Sequence, residues 1–98
     1  MLADVATNLE AARASTHVAC TALDSGASDV GVKAAHAKKF STRVAMDGLA
    51  QCMQALGANG FRQNHPLARH FASAKMAQYL DGSTEVQNIV IARALFAI

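Results

Sequence analysis

The chain carries a single proline, Pro66, in 98 residues, and on both sides of it apolar residues recur at intervals of three and four. Proline breaks a helix interior because it lacks an N–H and clashes with the preceding turn. Its rarity therefore leaves long helices open to this sequence. A three-and-four spacing then gathers side chains on one helical face. Leu2, Val5, Leu9, Ala12, Thr16, Ala19 and Leu23 keep that spacing and predict a first helix to about Asp24. Ser25-Gly26-Ala27-Ser28-Asp29 supplies a turn and a cap. Val32, Ala35, Phe40, Val44, Leu49, Cys52, Met53 and Leu56 form the inward row of a long second helix that stops at Gly57. The run Gly57-Ala58-Asn59-Gly60 suits left-handed backbone, and a third helix is expected from about Pro66, whose fixed φ suits a first turn. Leu67, His70, Phe71, Ala74 and Leu80 are its expected inner face. After Asp81-Gly82 a fourth helix opens at Ser83 or Thr84, with Thr84 and Gln87 spaced as a capping box, followed by Val86, Ile89, Val90, Ala94 and Leu95.

Short loops make successive helices antiparallel neighbours. The expected fold is all-α, an antiparallel up-and-down bundle of about four helices forming one domain over residues 1–98. A chain of this length buries roughly two-thirds of its unfolded surface, enough for one modest core. The 52% hydrophobic and 16% charged content is too apolar for a disordered tail. No apolar run reaches the length of a membrane span. The segments differ, which excludes an internal repeat. No cap residue precedes Leu2, so the helical pattern is already running where the sequence starts and reads as cut within a helix.

Between residues 32 and 75 lie Lys33, Lys38, Lys39, Arg43, Arg62, Arg69 and Lys75 against Asp47 alone. Without an aromatic stacking set or a nucleic-acid motif these read as solvated helix faces, and no nucleic-acid partner is expected. Cys20 and Cys52 lack close metal spacing and are expected to be reduced packing thiols. His17, His36, His65 and His70 form no ligand cluster, so no metal is expected. Met46, Met53 and Met76 read as packing residues. The opening Met1-Leu2-Ala3-Asp4 has neither the basic nor the apolar region of a signal peptide, and a cytoplasmic setting is expected.

Two segments carry more than packing information. The first is Gln54-Ala55-Leu56-Gly57-Ala58-Asn59-Gly60-Phe61, followed by Pro66-Leu67 and Ala74-Lys75. The second is Gln78-Tyr79-Leu80-Asp81-Gly82-Ser83-Thr84-Glu85-Val86-Gln87. In order and spacing they resemble the C-terminal helical domain of the acyl-CoA dehydrogenase family. Leu2-Ala3-Asp4-Val5-Ala6-Thr7, Glu10-Ala11-Ala12-Arg13 and Ala34-Ala35-His36-Ala37-Lys38 extend the resemblance over nearly the whole chain.

The resemblance implies an FAD-dependent oxidoreductase. A carboxylate removes the α-proton of an acyl-CoA thioester, the β-hydrogen leaves as hydride to the flavin, and electron-transfer flavoprotein commonly reoxidises it. It implies that this domain supplies the base, contacts the FAD of a neighbouring subunit, and forms much of a homo-oligomer interface. Asp81 stands where most members carry the catalytic glutamate. Gln54, Gly57 and Ala58 fall on the flavin-contact segment, as do Ser83, Thr84 and Glu85, and Gly82 falls against the substrate. The residues also have plainer readings. Asp81 precedes a helix N-terminus, where unpaired N–H groups favour an anion. Gly57 ends one helix, and Ser83 or Thr84 begins another.

The sequence departs from the family pattern at four places. Asp81 is one methylene shorter than glutamate, the usual glycine pair is Gly57-Ala58, and a common Arg-Asp pair is Ala72-Ser73. The family's N-terminal helical domain, middle β-domain and first helix of this domain have no counterpart in the 98 residues. Two functions follow as expectations: the base-bearing part of a dehydrogenase, inactive and with weak or no FAD binding on its own, or a non-catalytic helical module that keeps the oligomer surface. A yellow, flavin-bearing preparation separates the first from the second. The family helix missing from the bundle leads to an expected oligomer that buries Leu2, Val5 and Leu9.

Overall fold

A computed structural model describes residues 1–97, which form four α-helices and one 3-10 turn: α1 (Leu2–Ser25), α2 (Val30–Leu56), the 3-10 turn Gly57–Phe61, α3 (Leu67–Ala77) and α4 (Thr84–Phe96). No strand occurs among the described residues. The all-α architecture expected from the spacing is the one observed, with α2 as its spine. Among the described residues, helix α1 packs on α2 only, α4 packs on α2 only, and α3 packs on α2 and the 3-10 turn. The molecule is correspondingly elongated, 47 × 23 × 22 Å.

Each boundary has a local cause. Gly26 takes left-handed backbone at φ 69°, which lets its amide reach the Leu23 carbonyl and the Ala27 amide reach the Ala22 carbonyl, closing α1 in a Schellman turn. Asp29 precedes α2 and pairs with Lys33 at 3.0 Å. Gly57, at φ 63° and ψ −144°, stops α2 in a region that is essentially glycine-only. Past it the chain makes a 3-10 turn rather than a left-handed loop. Pro66 sits just before α3 and its carbonyl accepts from the His70 amide at 2.9 Å. Ser83 caps α4, its Oγ accepting from the Val86 amide at 3.4 Å. The expected Thr84–Gln87 capping box is therefore not formed: the cap lies one residue earlier, and the Gln87 side-chain Nε2 donates back to the Gly82 carbonyl at 3.2 Å.

The core is built from small residues. Ala12, Ala22, Ala35, Ala37, Val44 and Met53 are its buried hydrophobic members, joined by Gly48 and Gly60. A β-carbon on Gly48 would stand 3.2 Å from Val5 Cγ1, and Thr16 and Ser41 hydroxyls meet at 3.3 Å. These pairs run in opposite chain directions and fix α1 and α2 as an antiparallel, closely approaching pair. Gly60 rests on the Met53 backbone, where a β-carbon would come within 3.1 Å of Met53 Cα and O.

Three expected inner faces are corrected by the observed packing. On α1 the face turned to α2 is Val5, Ala12, Ser15, Ala19 and Ala22, while Leu2, Leu9, Thr16 and Leu23 are exposed, Leu23 by 68%. Alanine and serine pack there because they admit the α2 backbone, and the leucines occupy the adjacent stripe. On α3, Leu67, Phe71 and Ala74 are half-buried, His70 is exposed, and Leu80 lies beyond the helix end, exposed. On α4, Val90 is half-buried together with Ile91 and Ala92, whereas Val86, Ile89, Ala94 and Leu95 are exposed. No helix among the described residues is long and apolar enough to cross a membrane.

Candidate functional site

The turn between α3 and α4 holds the most unusual backbone in the chain. Asp81 has φ 54° and Gly82 φ 100°, two consecutive residues in left-handed space. Glycine adopts this freely. For other residues it is costly, with aspartate and asparagine among the better tolerated. Gly82 also has a packing reason, since a β-carbon there would stand 2.8 Å from Gln87 Nε2.

The carbonyls on either side of Asp81, those of Leu80 and Gly82, both accept from the Lys38 ammonium, which reaches across from the middle of α2. The Gly82 carbonyl accepts from Gln87 Nε2 as well. Asp81 itself is exposed, and among the described residues its carboxylate forms no ion pair or hydrogen bond. The carboxylate is thus presented on a turn whose backbone is anchored from below.

The other expected site residues fall on two separate surfaces. Gln54, Gly57 and Ala58 line an open groove of about 440 Å³ with Ala50, Met53, Phe61 and Phe71, largely apolar, at the junction of α2, the 3-10 turn and α3. Phe61 is 75% exposed along it. Thr84 and Glu85 line a smaller, more polar groove of about 290 Å³ with Lys75, Gln78 and Tyr79. There Lys75 donates to Gln78 at 3.1 Å and lies 5.3 Å from the Tyr79 ring centre. Ser83 is engaged as the α4 cap, and Glu85 stands in the first turn, where the helix dipole favours an acid. Asp81, Gly82 and Ser83 are contiguous in the anchored turn, and the groove holding Gln54 does not include them.

Lys38 and Gln87 are the residues that sequence reasoning missed in this region. Lys38 lies within the segment that resembles the family, yet its partners are more than forty positions away, and no local pattern links them. Two members of the basic stretch around it are used locally: Lys33 pairs with Asp29, and Arg43 approaches Asp47 at 4.0 Å. Among the described residues no group of three His, Cys, Asp or Glu side chains is arranged to hold a metal ion.

This arrangement of four helices corresponds to a known protein class. The sequence model for the acyl-CoA dehydrogenase C-terminal domain matches residues 1–96. The chain belongs to the acyl-CoA dehydrogenase family, of which it represents the C-terminal domain. It is 35% identical over 95 residues to the probable acyl-CoA dehydrogenase FadE25 of Mycobacterium tuberculosis, covering 97% of this chain and 24% of that protein. Its fold superposes on butyryl-CoA dehydrogenase from Megasphaera elsdenii with a TM-score of 0.91 and 35% identity, over 96% of this chain and 24% of that one. A chain in the structure of the electron transferring flavoprotein of Acidaminococcus fermentans aligns with a TM-score of 0.92 and 34% identity, over 98% and 25% of the two chains. The 98 residues thus span about a quarter of the length of these relatives.

Proposed function

We propose that this domain supplies the base for α,β-dehydrogenation of an acyl-CoA or related acyl thioester, with Asp81 accepting the α-proton. The observation that carries the reading is the Asp81 turn: an exposed, unengaged carboxylate on an anchored left-handed backbone, at the place where the family resemblance sets the base. A base must come within hydrogen-bond reach of its proton, and a free carboxylate on a fixed turn meets that need. Gly82, beside it, would lie against the acyl group.

FAD is the cofactor of this reading, and when bound it supplies the hydride acceptor. Gln54, Gly57 and Ala58 would hold one part of it: their groove joins an apolar floor to a side-chain amide, which suits a flat ligand with a polar edge. Ser83, Thr84 and Glu85 would meet another part, with the Lys75 ammonium lining the same polar groove. Neither groove alone encloses a ligand of that size, so the domain acts with the remainder of a dehydrogenase and is inactive alone. Electron-transfer flavoprotein is the proposed partner for reoxidation, and a second copy of the chain is the proposed neighbour at Leu2 and Leu9.

Those exposed leucines also favour a second reading, an assembly module without chemistry. The two are separated by a chimera in which residues 1–98 replace the corresponding quarter of the Megasphaera elsdenii enzyme. The dehydrogenase reading expects a yellow protein whose flavin absorbance bleaches on adding butyryl-CoA. A folded, FAD-loaded chimera that fails to bleach overturns it.

A further inference from the structure

We propose that Lys38 is a positioning residue, which fixes the Asp81 carboxylate by clamping the two peptide groups that flank it. The inference rests on Asp81 being the base, and it identifies what holds that base in place.

The Leu80 and Gly82 carbonyls lie outside the helical hydrogen-bond ladders, and no backbone amide among the described residues reaches them. Left alone they would turn to water, and the 80–82 segment would be free to leave its costly left-handed conformation. Lys38 removes that freedom. Its ammonium has three donors and no acceptor, and it accommodates two converging carbonyls. Hydrogen bonds from a charged donor are stronger than those between neutral groups. The lysine is half-buried on the rigid spine of the fold, so the anchor is not itself a loop. Gln87, from the first turns of α4, holds the Gly82 carbonyl from the other side.

The ammonium is spent on backbone rather than on the carboxylate: no ion pair joins Lys38 to Asp81. A lysine paired with Asp81 would occupy the lone pairs that a base uses. Bound to the neighbouring carbonyls, it orients the side chain and leaves it free.

The test uses Lys38→Met, which keeps the aliphatic stem and removes the charge and donors, and Lys38→Arg, whose fork retains both. In the 98-residue chain, ¹⁵N relaxation should give order parameters near ~0.85 at Asp81 and Gly82, falling below ~0.6 in Lys38→Met and recovering in Lys38→Arg. In the chimera, Lys38→Met should slow flavin reduction on the order of a hundredfold, as expected for a misplacement of about 1 Å, with KM and FAD content unchanged. Lys38→Arg should restore most of the rate. Added to Asp81→Asn, Lys38→Met should cost nothing further. Unchanged order parameters in Lys38→Met overturn the clamp. A loosened turn with a wild-type rate overturns the positioning role. A wild-type rate in Asp81→Asn overturns the base assignment and with it that role, while the order parameters still report separately on the clamp.

Discussion

Val5 Cγ1 on α1 stands 3.2 Å from the point where a β-carbon would project from Gly48 on α2. This contact sets how closely the first two helices approach. Gly48→Ala should gain close to ~1 kcal/mol of helix propensity and lose a similar amount by pushing Val5 outward, leaving stability little changed. In a Val5→Ala background the opposing contact is gone, and the same substitution should stabilise by about 1 kcal/mol. Urea unfolding of the four proteins in this cycle measures the coupling. Simple additivity would show that Val5 yields without cost.

Gly57 and Gly60 lie three residues apart and should fail for different reasons. At Gly57 nothing stands within 4 Å of an added β-carbon, yet its backbone is in glycine-only space, so Gly57→Ala should cost roughly 1–3 kcal/mol through conformation alone. At Gly60 the backbone is ordinary, but the added carbon meets the Met53 main chain at 3.1 Å, which has no rotamer to give. Gly60→Ala should destabilise by about 1–3 kcal/mol, and Met53→Ala should not relieve it, because the obstructing atoms are Cα, O and Cβ, all of which alanine keeps. Thermal unfolding of the single and double variants distinguishes the two.

The helices and their order were legible in the sequence because each rests on local chemistry: Gly26 and Gly57 as stops, Pro66 as a start, the three-and-four spacing between them. The inner face of α1 was not. Leu2, Leu9 and Leu23 are the larger apolar side chains, and a hydrophobic pattern selects them, but α1 and α2 meet through Ala12, Ala22 and Gly48, where small size decides. On α4 the run Ile89-Val90-Ile91 is apolar all round and carries no phase. The carboxylate turn was readable from family likeness, whereas its anchor was not, since the bonds from Lys38 to Leu80 and Gly82 exist only in three dimensions.

Exposed leucines make assembly testable. Leu2 and Leu9 project from the same side of α1 and are about half exposed, while Val5 is partly committed to Gly48. Equilibrium sedimentation of the 98-residue chain is expected to show a dimer or larger species. Leu2→Glu with Leu9→Glu should return it to monomer without loss of helicity, since neither leucine is among the buried core residues. A monomer at all concentrations in the unmodified chain would assign these leucines to some other cover.

Flavin binding should track completeness of the site. The groove at Gln54 and the groove at Thr84 are separate and shallow, and partial sites forfeit the preorganisation that gives affinity. The 98-residue chain should elute from gel filtration free of FAD, and the chimera should retain it. Stoichiometric FAD on the isolated chain would show that these grooves suffice.

The decisive substitution is at Asp81, assayed in the chimera. Asparagine is the informative replacement because it shares aspartate's tolerance of left-handed backbone, so Asp81→Asn should leave the turn, the Lys38 contacts and FAD content intact while removing the proton acceptor. Positioned acid–base catalysis contributes about 10²- to 10⁴-fold, and flavin reduction should fall by a factor in that range. Asp81→Glu tests reach instead. Glutamate restores the family's usual side chain but is less at ease at φ 54°, and it moves the carboxylate by one methylene. Because a shift of about 1 Å can alter a rate on the order of a hundredfold, its activity should differ substantially from that of aspartate, in a direction set by whether the acyl pocket is built for the shorter or the longer acid. A residue that only stabilises the turn would give the opposite ranking, with asparagine nearly silent and glutamate destabilising. Stopped-flow reduction of the flavin by butyryl-CoA, measured beside the melting temperature of each variant, separates the two rankings.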